Sequence, residues 1–292
     1  MKKISRKKFL QQSTLTALGL GLIPKAWGWA GIAKDRLEQR QLGKTGIRVT
    51  TLGFGASRTQ EPAVLKAALD RGITFIDTGR AYANGQNEEM IGQVLKDTRQ
   101  QYVIQSKMKV DPEKLGAKPQ RIRREMETSL EASLKALQTD YVDVMLLHGI
   151  TRTDVLQNET IQKVLEEMKA KGAIRAHGFS AHTNHVELLT QANQQPFYDV
   201  AMIPFNPSGG FKHSLSGWTT SWDQQALIRQ MQQAHENGMG LVAMKTCSGG
   251  TYAPNNRNSS YPGAVQWVCS HPFVHTTAVA MANFNEIKAH TS

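Results

Sequence analysis

Asp77, Tyr82, Lys107 and His148 are the residues of this chain whose types and placement could together do chemistry. Three of them stand where an apolar run ends. The run closing on Phe75-Ile76 stops at Asp77, and Tyr82 follows five residues on. Tyr102-Val-Ile-Gln-Ser106 leads straight into Lys107, and Tyr141-Val-Asp-Val-Met-Leu-Leu147 straight into His148. A buried strand that ends on a carboxylate needs a cation close by, because an unpaired charge out of water is costly. If the three strands are parallel neighbours, the four groups meet at one rim of a sheet. A phenol, with an ordinary pKa of about 10, is a weak acid at neutral pH. A neighbouring ammonium favours the phenolate and is expected to lower that value. A carboxylate keeps the ammonium charged, and an imidazole can orient a carbonyl oxygen beside the phenol. The set suits delivery of a proton to a carbonyl while hydride reaches its carbon. The hydride has to come from a cofactor. Taken singly, each residue also has a plain reading: a helix cap for Asp77, a surface ring for Tyr82, a solvated edge for Lys107, a backbone contact for His148.

The elements that must position these residues alternate along the chain. Strands are expected near 50–54, 73–77, 102–107, 141–148, 174–179, 199–204, 240–244 and 276–280. Helices are expected at 61–71, 87–96, 119–137, 160–171, 184–192, 223–237 and 261–269, with one more around Ile287. The long helix shows its period in Ile122, Met126, Leu130 and Leu134. A hairpin around Gly46 precedes the first strand. Strands alternating with helices imply a parallel sheet, and eight such units are the number that closes a (β/α)8 TIM barrel, a single α/β domain with its active site at the C-terminal rim. An open doubly wound sheet is disfavoured, since Gly53-x-Gly55 lacks the third glycine of a dinucleotide fingerprint. The loops Ser208-Gly-Gly-Phe-Lys-His213 and Ser248-Gly-Gly-Thr-Tyr252 fall on the same rim. Their glycines suit either close approach to phosphates or plain turns.

The chain has 292 residues and a formal charge of +11. Residues 1–30 carry Lys2, Lys3, Arg6, Lys7, Lys8 and Lys25 and no acid; beyond them 29 basic residues face 24 acidic ones, a net +5. That mild excess, with no basic stripe interleaved with aromatics, gives no reason to expect nucleic acid. Cys247 and Cys269 have no metal-ligand spacing and are read as ordinary thiols, so no metal site is expected. A basic start, an apolar run over 15–23 and the small residues Gly28 and Ala30 have the three-part layout of an export signal. The run is too short for a stable membrane span. Ser5-Arg6-Lys7-Lys8-Phe9-Leu10 resembles a twin-arginine signal with Lys7 in place of the second arginine. The expected organisation is an export signal over 1–30, a linker over 31–38 and a barrel over 39–292. The expected location is the periplasm or another exported site, reached through the export machinery.

The motifs also carry a family resemblance. Leu42-Gly-Lys-Thr-Gly46, Asp77-Thr-x-x-x-Tyr82, Glu88-x-x-x-Gly92, Lys107, Leu-Leu-His148 and Ile174-Arg-x-x-Gly178-x-Ser180 resemble, in order, the aldo-keto reductases. The resemblance implies Tyr82 as general acid, Lys107 tuning it, Asp77 pairing with Lys107, and His148 orienting a small-molecule carbonyl substrate. It implies a nicotinamide dinucleotide, NADPH or NADH, with the phosphorylated form favoured. Cofactor positions carried over are Gly55, Ser180, Met202, Met244, Lys245 and Asn283. Met202 stands where the family has a glutamine and Met244 where it has a stacking aromatic; a thioether can still pack on a ring. Met281-Ala282-Asn283-Phe284 offers no arginine or lysine for a 2′-phosphate, and a C-terminal loop over the substrate is expected to be missing. The alternative is a barrel that keeps the four residues but acts as a dinucleotide-binding or partner protein. A barrel hydrolase would need paired carboxylates or a metal site, and neither is evident.

Overall fold

Runs rich in Val, Ile and Leu form strands that are buried on both faces, and amphipathic helices cover them. The computed structural model describes residues 37–114, 116, 118–212 and 217–292. An antiparallel hairpin comes first: β1 (Gln39–Gln41) and β2 (Arg48–Thr50), with Gln39 opposite Thr50. β3 (Leu52–Gly55), α1 (Pro62–Asp70), β4 (Phe75–Asp77), α2 (Gln86–Leu95), β5 (Val103–Met108) and α3 (Pro119–Leu137) follow. Then come β6 (Val142–Leu147), the short α4 (Thr153–Leu156), α5 (Glu159–Ala170), β7 (Ile174–Ser180), α6 (His185–Gln194) and β8 (Val200–Pro204). A second hairpin, β9 (Gly210–Lys212) and β10 (Thr219–Ser221), precedes α7 (Gln224–Glu236). β11 (Gly240–Met244), α8 (Tyr261–Cys269), β12 (Thr276–Ala280) and α9 (Phe284–Thr291) end the chain. Strands β3 to β8 pair in sequence, β11 joins β8, and β12 closes onto β3, so the chain folds as a parallel (β/α)8 TIM barrel. Among the described residues, no helix is long and apolar enough to cross a membrane.

Local chemistry sets the helix ends. Pro62 and Pro119 open α1 and α3, where a missing N–H is harmless. Asn158, Asp223 and Ser260 cap α5, α7 and α8 by accepting from Ile161, Ala226 and Gly263 amides. Each such cap contributes about 1 kcal/mol. Gly92 lets α2 approach α3: a Cβ there would sit 2.5 Å from the Ala136 carbonyl oxygen.

The core has two parts. Ile104, Met108, Met145, Leu147, Phe179 and their neighbours fill the space between sheet and helices. Phe75, Val103, Val144, Leu146, Ala176, Val200, Met202, Val242 and Met244 fill the barrel, plugged at the N-terminal end by Leu42, Ile47 and Val49 of the first hairpin. Side chains alternate faces along a strand, so Asp77, Lys107 and His148 continue the inward columns begun by Phe75, Val103 and Val144. The observed boundaries differ from those expected by a few residues: β4 begins at Phe75, not at 73. The loop after β8 is corrected more substantially, because Gly210–Lys212 pair with Thr219–Ser221 as a hairpin. Residues 1–36, expected to hold the signal and most of the linker, lie outside the described residues. Of the expected linker, Leu37 packs on the core and the Glu38 carbonyl accepts from the Thr51 amide at 2.9 Å, so both belong to the fold.

Candidate active site

The inward columns of β4, β5 and β6 bring Asp77, Lys107, His148 and Tyr82 to the C-terminal rim. Asp77 pairs in register with Gln105, and Lys107 with Leu146. The Lys107 ammonium is 2% exposed and donates to Asp77 Oδ1 at 2.6 Å, the Thr78 carbonyl at 2.6 Å and Tyr82 Oη at 3.1 Å. An ammonium has three protons and no acceptor. All three are therefore placed, and the phenol oxygen accepts one of them while its own proton stays available. The His148 ring stands edge-on to Tyr82, with centroids 5.9 Å apart at 79°. Its Nδ1 is buried and has no hydrogen-bond partner among the described residues.

Burial and charge act differently on the three groups. For Lys107, burial alone would lower the pKa, but Asp77 and then Tyr82 outweigh it and raise the value, so the ammonium stays charged. The expected lowering of Tyr82 is overturned. Burial raises its pKa above the ordinary 10.0, Lys107 pulls the other way, and Asp77 adds to the rise. The free phenol thus holds its proton firmly. His148 is pushed down to about 3, by burial first and then by Lys107, His182 and Lys109, so its imidazole is neutral.

Sequence reasoning missed Gln105. Its Nε2 donates to Asp77 Oδ1 at 2.7 Å and to Met202 Sδ at 3.4 Å. It stands two residues before Lys107, on the same strand face; that spacing was the available signal. A second ion pair, with Glu88 buried and Arg80 half-buried, supports the loop from outside the barrel. Arg80 and Glu88 lie 2.7 Å apart, and Ser106 Oγ donates to Glu88 Oε1 at 2.6 Å. Tyr82 is followed by Ala83, Asn84 and Gly85, all at positive φ, which turns the chain sharply into α2.

The cofactor positions divide. Ser180 lies beside Met202 in register, and its hydroxyl accepts from the Gly149 amide at 3.0 Å and donates to the Leu147 carbonyl at 3.3 Å. Met202 and Met244 lie inside the barrel, and Met202 is already Gln105's partner. Lys245 has φ +59, and its Nζ lies 5.3 Å from the Phe211 ring centre. Its burial lowers its pKa, and among the described residues no carboxylate pairs with it. Gly55 serves the sheet: a Cβ there would press on the Val279–Ala280 backbone at 3.1 Å. Asn283 is engaged as the cap of α9, accepting from the Glu286 amide and donating to Glu286 Oε1, both at 3.0 Å. Gly249 packs against Ser208 and Asn206, so the glycine loops after β8 and β11 are held against each other; His213 lies outside the described residues. Cys247 and Cys269 are free thiols whose pKa burial pushes up to about 11. Among the described residues, no three His, Cys, Asp or Glu side chains gather as metal ligands.

The family model described as Aldo/keto reductase family matches residues 51–291. The chain belongs to the aldo/keto reductase family. Aldo-keto reductase YhdN of Bacillus subtilis is 32% identical over 157 residues, 49% of this chain and 47% of that protein. The chain thus spans about half the length of the curated relatives it matches first. The holo form of aldo-keto reductase AKR11C1 from Bacillus halodurans superposes with a TM-score of 0.69 at 23% identity, covering 88% of this chain and 90% of that one. An aldo/keto reductase from Klebsiella pneumoniae in complex with NADP and acetate gives 0.61 at 24% identity, covering 85% and 87%. At these identities the superpositions speak for the barrel, not for the reaction.

Proposed function

We propose that this aldo/keto reductase reduces a small aldehyde or ketone with a reduced nicotinamide dinucleotide. One observation carries the reading: every proton of Lys107 has an acceptor, one of them Tyr82 Oη, so the phenol's own proton is free for a substrate. A dinucleotide held at the rim would supply hydride to the carbonyl carbon. Tyr82 gives its proton to the carbonyl oxygen as negative charge develops there. Lys107 stabilises the phenolate left behind, and Asp77, steadied by Gln105, holds the ammonium in place. His148, neutral, orients the carbonyl oxygen by donating a ring N–H.

The chain's own residues suit such a cofactor. Lys245 offers a part-buried cation that, among the described residues, has no carboxylate partner, which suits a pyrophosphate. Ser180, Met202 and Met244 floor the mouth where a flat ring could lie. Asn283 caps α9 with its Oδ1 and one Nδ2 proton, which leaves the second Nδ2 proton for a ligand. NADP is the form bound in the Klebsiella relative, which favours the phosphorylated dinucleotide. Glu286 bears on that choice, since its Oε2 accepts from the Ala282 amide at 2.7 Å and brings negative charge to the start of the last helix.

The test is titration of the protein with NADPH and NADH by tryptophan fluorescence, followed by a carbonyl screen with whichever binds. Micromolar binding and turnover support the reading. Absence of binding by the folded protein overturns it and leaves the partner-protein alternative. We also propose export by the twin-arginine route, on the strength of residues 5–10. Arg6→Lys should then trap the protein inside the cell, and normal export of that variant would contradict it.

A further inference from the structure

We infer that Lys109 selects carbonyl substrates that carry a second, anionic group, namely aldehydes or ketones bearing a carboxylate. The inference rests on the reductase reading and deepens it. β5 keeps its alternation to the rim. Ile104, Met108 and Val110 lie in the outer core, while Val103 lies in the inner one. Gln105 and Lys107 follow Val103 up the axis-facing column, and Lys109 is the next residue of that column. Lys107 is 2% exposed, whereas Lys109 is exposed above it. The His148 amide donates to the Met108 carbonyl at 2.8 Å, which sets the imidazole-bearing residue beside this stretch of β5. The charge on Lys109 reaches His148, where it helps keep the ring neutral.

Nothing on the near wall neutralises Lys109. Among the described residues it has neither an ion pair nor a hydrogen bond from its ammonium. The acids that follow it are taken by other bases: Asp111 faces Lys114 at 3.6 Å, and Glu113 and Asp154 both pair with Arg152. Asp77, below, is held by Lys107 and Gln105. An exposed lysine is ordinarily a solvated charge. This one tops the column that holds the proton donor's partner, and the groups around the reacting oxygen, a phenol and a neutral imidazole, add no negative charge. A substrate whose carbonyl meets Tyr82 and His148 turns its remainder toward the rim. A carboxylate there meets an unpaired ammonium, and a neutral group meets none.

The test compares two aldehydes alike except for charge: 4-carboxybenzaldehyde and methyl 4-formylbenzoate. kcat and KM are measured for the full chain and for Lys109→Met and Lys109→Glu. Dissociation constants for both aldehydes come from NMR line broadening on the dinucleotide-loaded protein, which needs no turnover. The native chain should favour the acid about tenfold, the size of one charge-assisted hydrogen bond. The difference should lie in KM and the dissociation constant, not in kcat. Lys109→Met should bring the ratio near one, and Lys109→Glu should reverse it. A native preference below twofold, or one that survives Lys109→Met, would overturn the inference. So would an equal weakening of dinucleotide binding in Lys109→Met, since the lysine would then serve the cofactor. If neither aldehyde turns over, the reductase reading fails separately, and the ratio of dissociation constants still decides the role of Lys109.

Discussion

The two ends of the barrel hold similar residues in different conditions. At the N-terminal end, Arg40 donates to the carbonyls of Cys269, His271 and Val274 at 2.8, 3.0 and 2.6 Å, and Lys44 donates to that of Asn237 at 3.0 Å. His275 Nδ1 accepts from the Leu241 amide at 2.9 Å, and its Nε2 lies 3.2 Å from His235 Nδ1. A concavity of about 450 Å³ lies among Arg40, Lys44, His235 and His275. At the C-terminal rim, Lys107 is just as fully engaged, but among the described residues the Tyr82 proton and His148 Nδ1 have no partner. Cations and histidines occur at both ends and a hollow at the N-terminal one; at the C-terminal rim a phenol and a ring nitrogen stand beside the fixed charge of Lys107. The difference teaches that neither residue type nor the size of a hollow distinguishes the proposed reactive end; what distinguishes it is a phenol held against a fully engaged ammonium.

That contrast can be broken by mutation. The largest effect is expected for Tyr82→Phe, which removes the free proton and leaves the packing. Carbonyl reduction should fall about 10³-fold in kcat, with dinucleotide affinity nearly kept; turnover equal to the native chain would end the assignment. Arg40→Ala is the counterpart at the other end. It strips charge-assisted bonds from the carbonyls around the end of α8, so unfolding in denaturant should show a loss of about 2–3 kcal/mol. Activity of the folded variant should match the native chain, and a large fall in kcat would erase the distinction between the ends. A smaller effect should be shared. His148 and His275 have pKa values lowered to about 3 and about 4, each by burial first. Unfolding returns them to about 6.5, so the unfolded chain binds protons first as pH falls. Their contribution to stability is fully present above about 6.5 and is lost progressively toward about 4 for His275 and about 3 for His148. The slope is at most about 1.4 kcal/mol per pH unit for each ring. Denaturation at several pH values should show His148→Asn and His275→Asn flattening this slope alike. A slope carried by one of them alone would mean that burial is not the common cause.

Much of this was legible from residue order. The alternation of strand and helix patterns, the inward column through Phe75 and Asp77, and the rim placement of Lys107 and His148 all follow from short-range periodicity. The hairpin after β8 was not legible, because Gly210–Lys212 and Thr219–Ser221 are only three residues each and form a two-stranded sheet of their own. The cap at Asn283 was not legible for a related reason: its amide can bind a ligand or cap a helix, and Glu286, three residues on, becomes its partner only once the helix forms.

The sequence by itself determined which groups arrive at the rim, since strand period and order are local properties of side-chain size and polarity. Only the tertiary structure decided their state. The net rise of the Tyr82 pKa, the neutrality of His148 and the hold of Gln105 on Asp77 depend on closure of the barrel. Closure brings segments far apart in the chain into contact and removes the water that would otherwise screen them. Desolvation and Coulomb attraction then compete over a few ångströms, and their balance has no counterpart in residue order.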